Sequence, residues 1–77
     1  MKVLFFGQTA EITGTRELEI SPGDSIKASE AFAGILEKYP RLKDHKLLFA
    51  VNQEYSNGEE ILETGDELAI FTAVSGG

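Results

Sequence analysis

The alternation of apolar and polar residues divides the chain into short strands around one longer helix. The apolar run "KVLFF" is rich in β-forming residues and predicts a strand over residues 2–7 with both faces covered. Over residues 15–20, two glutamates alternate with leucine and isoleucine, which indicates a half-buried strand. Between these strands, Gly7 and Gly14 bracket one or two helical turns, and Gly14 is placed to end them.

One segment has the period of an amphipathic helix. Apolar residues recur at i, i+4, i+7, i+8 and i+11 and predict a single buried stripe of Ala28, Phe32, Ile35, Leu36 and Tyr39. Asp24 or Ser25 can cap the start of this helix. Pro40 ends it, because the residue before a proline avoids helical dihedral angles. Ahead of the helix, "SPGD" has proline and glycine at the central positions of a type II turn.

The rest of the chain predicts strands and tight turns. A long strand is expected over residues 46–55, and the following "SNGEE" contains the Asn-Gly turn signal. A short edge strand is expected at Ile61 and Leu62, and after the turn "ETGD" the last strand is "ELAIFTAV". The order β-β-α-β-(β)-β predicts an α+β fold of the β-grasp type, with a mixed sheet of four to five strands, one main helix, and the first and last strands parallel and adjacent. One helix cannot cover both faces of the sheet, so one face is solvated or docked on a partner.

Composition narrows the classes of function. The 77 residues include thirteen acids, seven bases and no cysteine, with a net charge of −6. This charge argues against nucleic-acid binding, which needs a basic surface, and favours a basic protein partner. The lack of cysteine excludes disulfides and thiolate chemistry. No apolar run approaches the ~20 residues of a membrane span, and no signal peptide is evident, so we expect one cytoplasmic domain without membrane contact.

Four stretches resemble the small subunit of molybdopterin synthase, a family of MoaD-like, ubiquitin-like β-grasp proteins. They are "KVLFFGQTAEITGT", "FAVNQEY", "GDELAIFTAVSGG" and, more loosely, the helical region "DSIKASEAFAGILEKYPRL". The resemblance covers essentially the whole chain. The family often has two prolines where this chain has Thr72 and Ala73, and prolines would stiffen the exit of the C-terminal tail.

The resemblance implies a sulfur carrier in molybdenum cofactor biosynthesis. An adenylyltransferase similar to ubiquitin-activating enzymes would use ATP to adenylate the carboxylate of Gly77, because AMP is a good leaving group. Sulfur from a donor protein would replace AMP and leave a thiocarboxylate. The large synthase subunit, in a heterotetramer with this chain, would then transfer the sulfur to cyclic pyranopterin monophosphate and build the dithiolene of molybdopterin. The sequence itself shows no Ser/His/Asp arrangement and no metal-ligand spacing, so we expect this chain to bind no cofactor and no metal, and the active site to lie on the large subunit.

We therefore expect a β-grasp domain over residues 1–71 and an extended reactive tail over residues 72–77. Six extended residues span at most about 20 Å, enough to enter a neighbouring active site. Glycines keep the tip narrow and allow close backbone approach, serine is small, and valine could anchor the base in an apolar groove. The predicted tail residues are Val74, Ser75, Gly76 and Gly77.

Strand alternation also predicts a docking surface. If Val3 and Phe5 face the helix, Phe6 faces away, and the last strand places Phe71 on the same side. Exposed aromatic residues on a central strand are typical of an interface. The predicted partner-binding residues are Phe6, Tyr55 and Phe71.

The remaining polar residues favour surface and backbone roles over catalysis. Most of a set of eight glutamates is expected to be solvated, and some could steer a basic partner: Glu11, Glu17, Glu19, Glu54, Glu59, Glu60, Glu63 and Glu67. His45 is expected in a surface loop, and Asn52 and Gln53 are expected to cap backbone groups at a strand end.

Other functions stay open at this point. The same tail could be ligated to lysines of other proteins, as in a ubiquitin-like modifier, or it could carry sulfur for thiazole synthesis or tRNA thiolation. The chain could also be a β-grasp interaction domain with an inert tail.

Overall fold

The computed structural model describes residues 1–21, 23 and 25–73. In chain order the elements are β1 (Lys2–Phe5), α1 (Gln8–Thr13), β2 (Glu17–Glu19), β3 (Ile26–Lys27), α2 (Ala28–Lys38), a 3₁₀ helix (Pro40–Asp44), β4 (Leu47–Val51), β5 (Glu54–Tyr55), β6 (Ile61–Leu62) and β7 (Glu67–Thr72).

Five strands form one mixed sheet in the order β2-β1-β7-β4-β5. β1 and β7 run parallel, with Phe5 paired to Ile70, and the other neighbours in this sheet are antiparallel. β3 and β6 form a separate two-stranded sheet. The predicted β-grasp fold is therefore confirmed, including the adjacent parallel pairing of the first and last strands.

The core lies between the sheet and α2. Val3, Phe5, Leu68 and Ile70 are almost fully buried, as is Ile35 on the helix. Aromatic pairs close the core at two places: Phe5 meets Tyr39 edge-on with ring centroids 5.8 Å apart, and Phe32 stacks on Phe49 at 4.6 Å. Full burial of one such side chain stabilises the fold by ~1.5–3 kcal/mol. Turning a strand over would lose this stabilisation for each side chain, so these residues determine which face of each strand points inward.

The two helices have identifiable boundaries. Gly14 ends α1 with a φ of 77°, the left-handed conformation predicted for it. The expectation that Asp24 or Ser25 caps α2 is wrong, because Ile26 and Lys27 pair with β6 and the helix begins only at Ala28. A carboxylate oxygen of Glu30 accepts a hydrogen bond from the Lys27 amide at 3.2 Å and so satisfies the amide that directly precedes the helix.

The single strand predicted over residues 46–55 is a hairpin. Asn52 and Gln53 have φ values of 48° and 71° and separate β4 from β5. Two consecutive positive φ angles match the type I′ turn that suits the twist of a two-residue hairpin. The Asn-Gly signal at residues 57–58 does not form such a turn, since Asn57 lacks a positive φ.

Other expectations need smaller corrections. β1 ends at Phe5, and it is covered on one face only, because Leu4 is half-buried and Phe6 is 51% exposed. In the predicted type II turn, Gly23 has the required positive φ of 73°. Pro22 and Asp24 of that turn lie outside the described residues. None of the described helices has the length and apolar character needed to cross a membrane.

Candidate functional site

The predicted tail emerges from the centre of the sheet. β7 lies between β1 and β4, and its last residue is Thr72, so the strand includes one residue assigned to the tail from the sequence. The Ala73 amide donates a hydrogen bond to the Lys46 carbonyl at 2.8 Å and continues the β4–β7 ladder. We call Ala73 and Lys46 the tail root. A chain leaving this point starts from backbone that is hydrogen-bonded to the residue before β4.

The four predicted tail residues Val74, Ser75, Gly76 and Gly77 lie outside the described residues. The domain boundary at residues 71–72 and the role of the tail stay predictions.

Beside the tail root, the sheet face opposite α2 carries apolar side chains. Leu48 lies directly opposite Phe71, and Tyr55 lies opposite Ala50. The rings of Tyr55 and Phe71 contact each other with centroids 5.8 Å apart. We call this surface, comprising Leu4, Leu48, Tyr55 and Phe71, the open face. Tyr55 is 76% exposed and Leu48 is 40% exposed, while Phe71 is half-buried.

Phe6 lies at the edge of the open face and not in contact with the Tyr55 ring. Its amide donates to the Ile70 carbonyl at 3.1 Å, so it extends the pairing of β1 with β7 by one residue. Its side chain lines a groove between β1, α1 and β2, together with Leu4, Ala10 and Arg16. The structure thus places the three predicted docking aromatics around one surface, with two of them in direct contact.

Thr9, a residue to which the sequence analysis assigned no role, holds α1 against the end of the central strands. The side chain is fully buried, and its hydroxyl lies 2.7 Å from the Phe6 carbonyl and 2.9 Å from the Ile70 carbonyl. A buried hydroxyl without a hydrogen-bond partner would destabilise the fold, and these two carbonyls supply the partners that the Thr9 hydroxyl needs. Thr9 therefore fixes the backbone beside both phenylalanines of the proposed docking surface.

A second polar cluster fixes the start of β7. The Asn52 side chain donates to Asp66 at 3.1 Å and accepts from the Glu67 amide at 3.0 Å. The pKa of Asp66 is lowered, first by the Glu63 amide, which donates to it at 2.7 Å, and then by Asn52. The backbone-capping role expected for Asn52 is confirmed by these contacts.

The acidic side chains lie mostly on the surface. Six of the eight glutamates considered above are exposed, and two of them pair with lysines: Glu17 with Lys2 at 3.9 Å and Glu59 with Lys27 at 3.8 Å. Such exposed pairs contribute about 0–1 kcal/mol each. The pKa of Glu60 is lowered, chiefly because the Ser56 hydroxyl donates to its carboxylate.

Residues 1–21, 23 and 25–73 contain no cluster of three His, Asp or Glu side chains that could hold a metal ion. His45 follows the 3₁₀ helix, and its amide donates to the Leu42 carbonyl at 3.1 Å. What this part of the chain offers chemically is a binding surface beside a firmly held strand end.

Sequence reasoning missed Leu4 and Leu48 on the open face, in addition to Thr9. The alternation in "KLLFAV" contained the signal for Leu48, because Leu47 and Phe49 point into the core. The hydroxyl of Thr9 carried no such signal, since its acceptors are backbone carbonyls that only the tertiary fold brings near.

Comparison with known proteins confirms the resemblance noted from the sequence. The sequence model of the ThiS family matches residues 3–77. The molybdopterin synthase sulfur carrier subunit of Homo sapiens is 40% identical and aligns with 100% of this chain and 93% of that protein. The protein of the same name from Escherichia coli is 38% identical, with coverage of 100% and 99%. Among solved structures, SAMP1 from Haloferax volcanii has a TM-score of 0.81 at 26% identity and covers 99% of this chain and 97% of that one. Since these matches extend over nearly all of the sequence, the chain belongs to the ThiS family.

Proposed function

We propose that this chain is the sulfur carrier subunit of a molybdopterin synthase. Relatives that align with the whole of this chain bear this name. The observation that carries the proposal is the tail root: the predicted tail leaves from the middle strand of the sheet, and an exposed apolar face lies directly beside it.

The proposed chemistry takes place on the carboxylate of Gly77. One carboxylate oxygen attacks the α-phosphorus of ATP on an adenylyltransferase, and pyrophosphate leaves. Hydrosulfide released by a donor protein then attacks the acyl carbon, AMP leaves and the sulfur loses its proton, which produces the thiocarboxylate. The large subunit receives the tail and directs this sulfur to cyclic pyranopterin monophosphate.

The open face suits docking on the large subunit. Tyr55 and Phe71 form an aromatic pair within reach of the tail root, and aromatic residues are enriched among the side chains that dominate binding energy. A partner seated on this pair would also be positioned to enclose the tail. Because β7 is paired on both sides, little of the binding energy would be spent on ordering the strand.

The chemical steps would depend on the partners and not on side chains of this chain. Transfer to an anionic pterin needs cations to stabilise the developing charge. The sequence has no lysine or arginine after Lys46, and none of the ion pairs among the described residues involves the tail root. We therefore assign the catalytic residues to the large subunit and ATP to the adenylyltransferase.

A reconstituted assay tests this division of labour. The thiocarboxylated chain is mixed with cyclic pyranopterin monophosphate, first alone and then with the large subunit, and molybdopterin is measured. We expect product only when the large subunit is present. Product at the full rate without it would contradict the assignment and point to a side chain of this chain, His45 first.

The reach of the tail is tested in the same assay. Deletion of Gly77, or addition of one residue after it, should abolish sulfur transfer while the domain stays folded, because the reactive carbonyl must lie at a fixed distance from the tail root. Near-normal activity of the extended chain, with the extra residue shown by mass spectrometry to be retained, would contradict the proposal.

A protein modifier is the second candidate. SAMP1, whose fold this chain shares, is named a small archaeal modifier protein. Both functions begin with adenylation of the tail and differ in the next nucleophile, which is sulfide for a carrier and ultimately a lysine amine for a modifier.

A further inference from the structure

The positive charge of the chain is concentrated in one short segment. Residues 38–46, "KYPRLKDHK", contain four of the seven lysines and arginines and one of the thirteen acids. We call these nine residues the basic segment. Its formal charge is +3, whereas the rest of the chain carries −9. A chain that is acidic overall therefore has one basic region, and its position in the fold decides which groups it can meet.

The fold brings the C-terminal end of the basic segment to the tail root. Its last residue, Lys46, accepts the backbone hydrogen bond from Ala73. The 3₁₀ helix within the segment contacts α1 and the end of α2, and Leu42 anchors it in the core with no exposed surface. The segment is thus a firmly attached element beside the exit of the tail.

The charged groups of the segment point to solvent. Lys38, Arg41, Lys43 and Lys46 are exposed. The ion pairs formed among the described residues use Met1, Lys2 and Lys27 instead. Asp44 is the acid within the segment, so the segment itself keeps a formal charge of +3.

Distance separates this charge from the reacting atoms. Residues 74–77 can extend at most about 14 Å beyond the tail root. Interactions between exposed charges are screened over about 8 Å at physiological ionic strength. A tail extended into a partner's active site would carry Gly77 out of range of the segment. The segment is therefore placed to contact the partner's surface where the tail enters it. It is too far from Gly77 to take part in the phosphate or sulfur chemistry there.

We infer that the basic segment docks on carboxylate side chains that line the entrance of the large subunit's tail-binding channel. The inference rests on the proposed function, because it requires a subunit that encloses the tail. The basic segment adjoins the open face, because Lys46 immediately precedes β4 and strand alternation places it on the same face as Leu48. A large subunit that docks on the open face would therefore also contact the basic segment. The large subunit thus combines cations within its active site with an acidic rim at its entrance.

Two charge-matched double variants test the inference. Arg41→Glu with Lys43→Glu reverses two charges in the basic segment. Lys2→Glu with Lys27→Glu makes the same change in net charge away from the tail root, because Lys2 pairs with Glu67 at the start of β7 and Lys27 pairs with Ile61 of β6. Unfolding curves for both variants establish that each is folded. Titration calorimetry then measures the affinity of each for the large subunit over a range of salt concentrations.

We expect the segment variant to bind about tenfold more weakly than the matched control at low salt, since exposed charge pairs contribute up to ~1 kcal/mol each. Its affinity should also depend less on salt than that of the unaltered chain. Equal affinities and equal salt dependence of the two variants would overturn the inference while leaving the proposed function intact. Failure of the unaltered chain to bind the large subunit would instead overturn both.

Discussion

Phe5 and Phe6 are neighbours in sequence, yet their replacement should affect different properties of the protein. Phe5 is 2% exposed and packs on Tyr39 in the core, whereas Phe6 is 51% exposed beside the open face. Truncation of a buried phenylalanine to alanine costs about 3–5 kcal/mol of stability. For a domain of this size, that loss is a large part of the ~4–12 kcal/mol expected in total.

The effect of Phe6→Ala on binding follows from its exposed area. A phenylalanine presents about 200 Å² that can be buried, so the exposed half amounts to roughly 100 Å². At about 25 cal/mol per Å², covering this area with a partner is worth ~2.5 kcal/mol, which is between one and two decades in affinity. By the same arithmetic, the half that already contacts the protein limits the stability loss to about 2.5 kcal/mol, less than the cost expected at Phe5.

Urea unfolding and titration calorimetry with the large subunit separate the two effects. Phe6→Ala should weaken binding strongly and should lower stability by less than the ~3–5 kcal/mol expected for Phe5→Ala. Phe5→Leu, a milder truncation that keeps the chain folded, should lower stability without changing affinity. The reasoning is refuted if Phe6→Ala binds as tightly as the unaltered chain, or if it loses the ~3–5 kcal/mol of stability expected for truncation of a fully buried phenylalanine.

Three further substitutions test the polar contacts. Thr9→Val should lower the free energy of unfolding by about 1 kcal/mol with an unchanged urea m-value. The loss is small because the Ile70 carbonyl keeps its hydrogen bond from the Phe6 amide, and a loss above ~3 kcal/mol would contradict this. Asn52→Ala should cost about 1–2 kcal/mol, since alanine is strained at a φ of 48° and makes neither side-chain bond; unchanged unfolding curves would contradict it. The lowered pKa of Asp66 means that its carboxylate stabilises the fold above the ordinary aspartate pKa of about 3.9, and that this stabilisation is lost as pH falls through the lowered value. Asp66→Asn should therefore be less stable at neutral pH, with a difference from the unaltered chain that shrinks on acidification; a pH-independent difference would refute the assignment.

The pattern of the sequence predicted the elements that have a strong period or a clear stop signal. The apolar stripe from Ala28 to Tyr39 indicated α2, and Gly14 indicated the end of α1. The parallel pairing of β1 with β7 followed from the recognised order of elements, and the pairing of Phe5 with Ile70 confirms it.

Features that depend on distant pairing could not be predicted. Ile26 and Lys27 lack any strand pattern of their own, and they become β3 only because Leu62 and Ile61 pair with them. The hairpin turn at Asn52 and Gln53 lacks a glycine, so the sequence favoured a continuous strand. Its positive φ angles are stabilised by contacts of Asn52 with the start of β7.

The part of the candidate site that could be predicted from the sequence is the face of the sheet on which each strand residue lies, because strand alternation determines that face. Alternation correctly placed Phe6 and Phe71 away from the core side of the sheet. It did not reveal that Tyr55 covers part of Phe71, because that contact depends on the β4–β5 hairpin and its register. The arrangement of the basic segment around the tail root likewise required the pairing of Lys46 with Ala73.

The mass of the intact chain after activation tests the sulfur-carrier function most directly. The chain is incubated with its adenylyltransferase, ATP and sulfur donor, and a parallel sample lacks ATP. We predict a mass increase equal to the replacement of one oxygen by sulfur, located at Gly77 by fragmentation and absent without ATP. An unchanged mass, or a tail joined by an amide bond to a lysine of another protein with no sulfur-bearing form, would contradict the account.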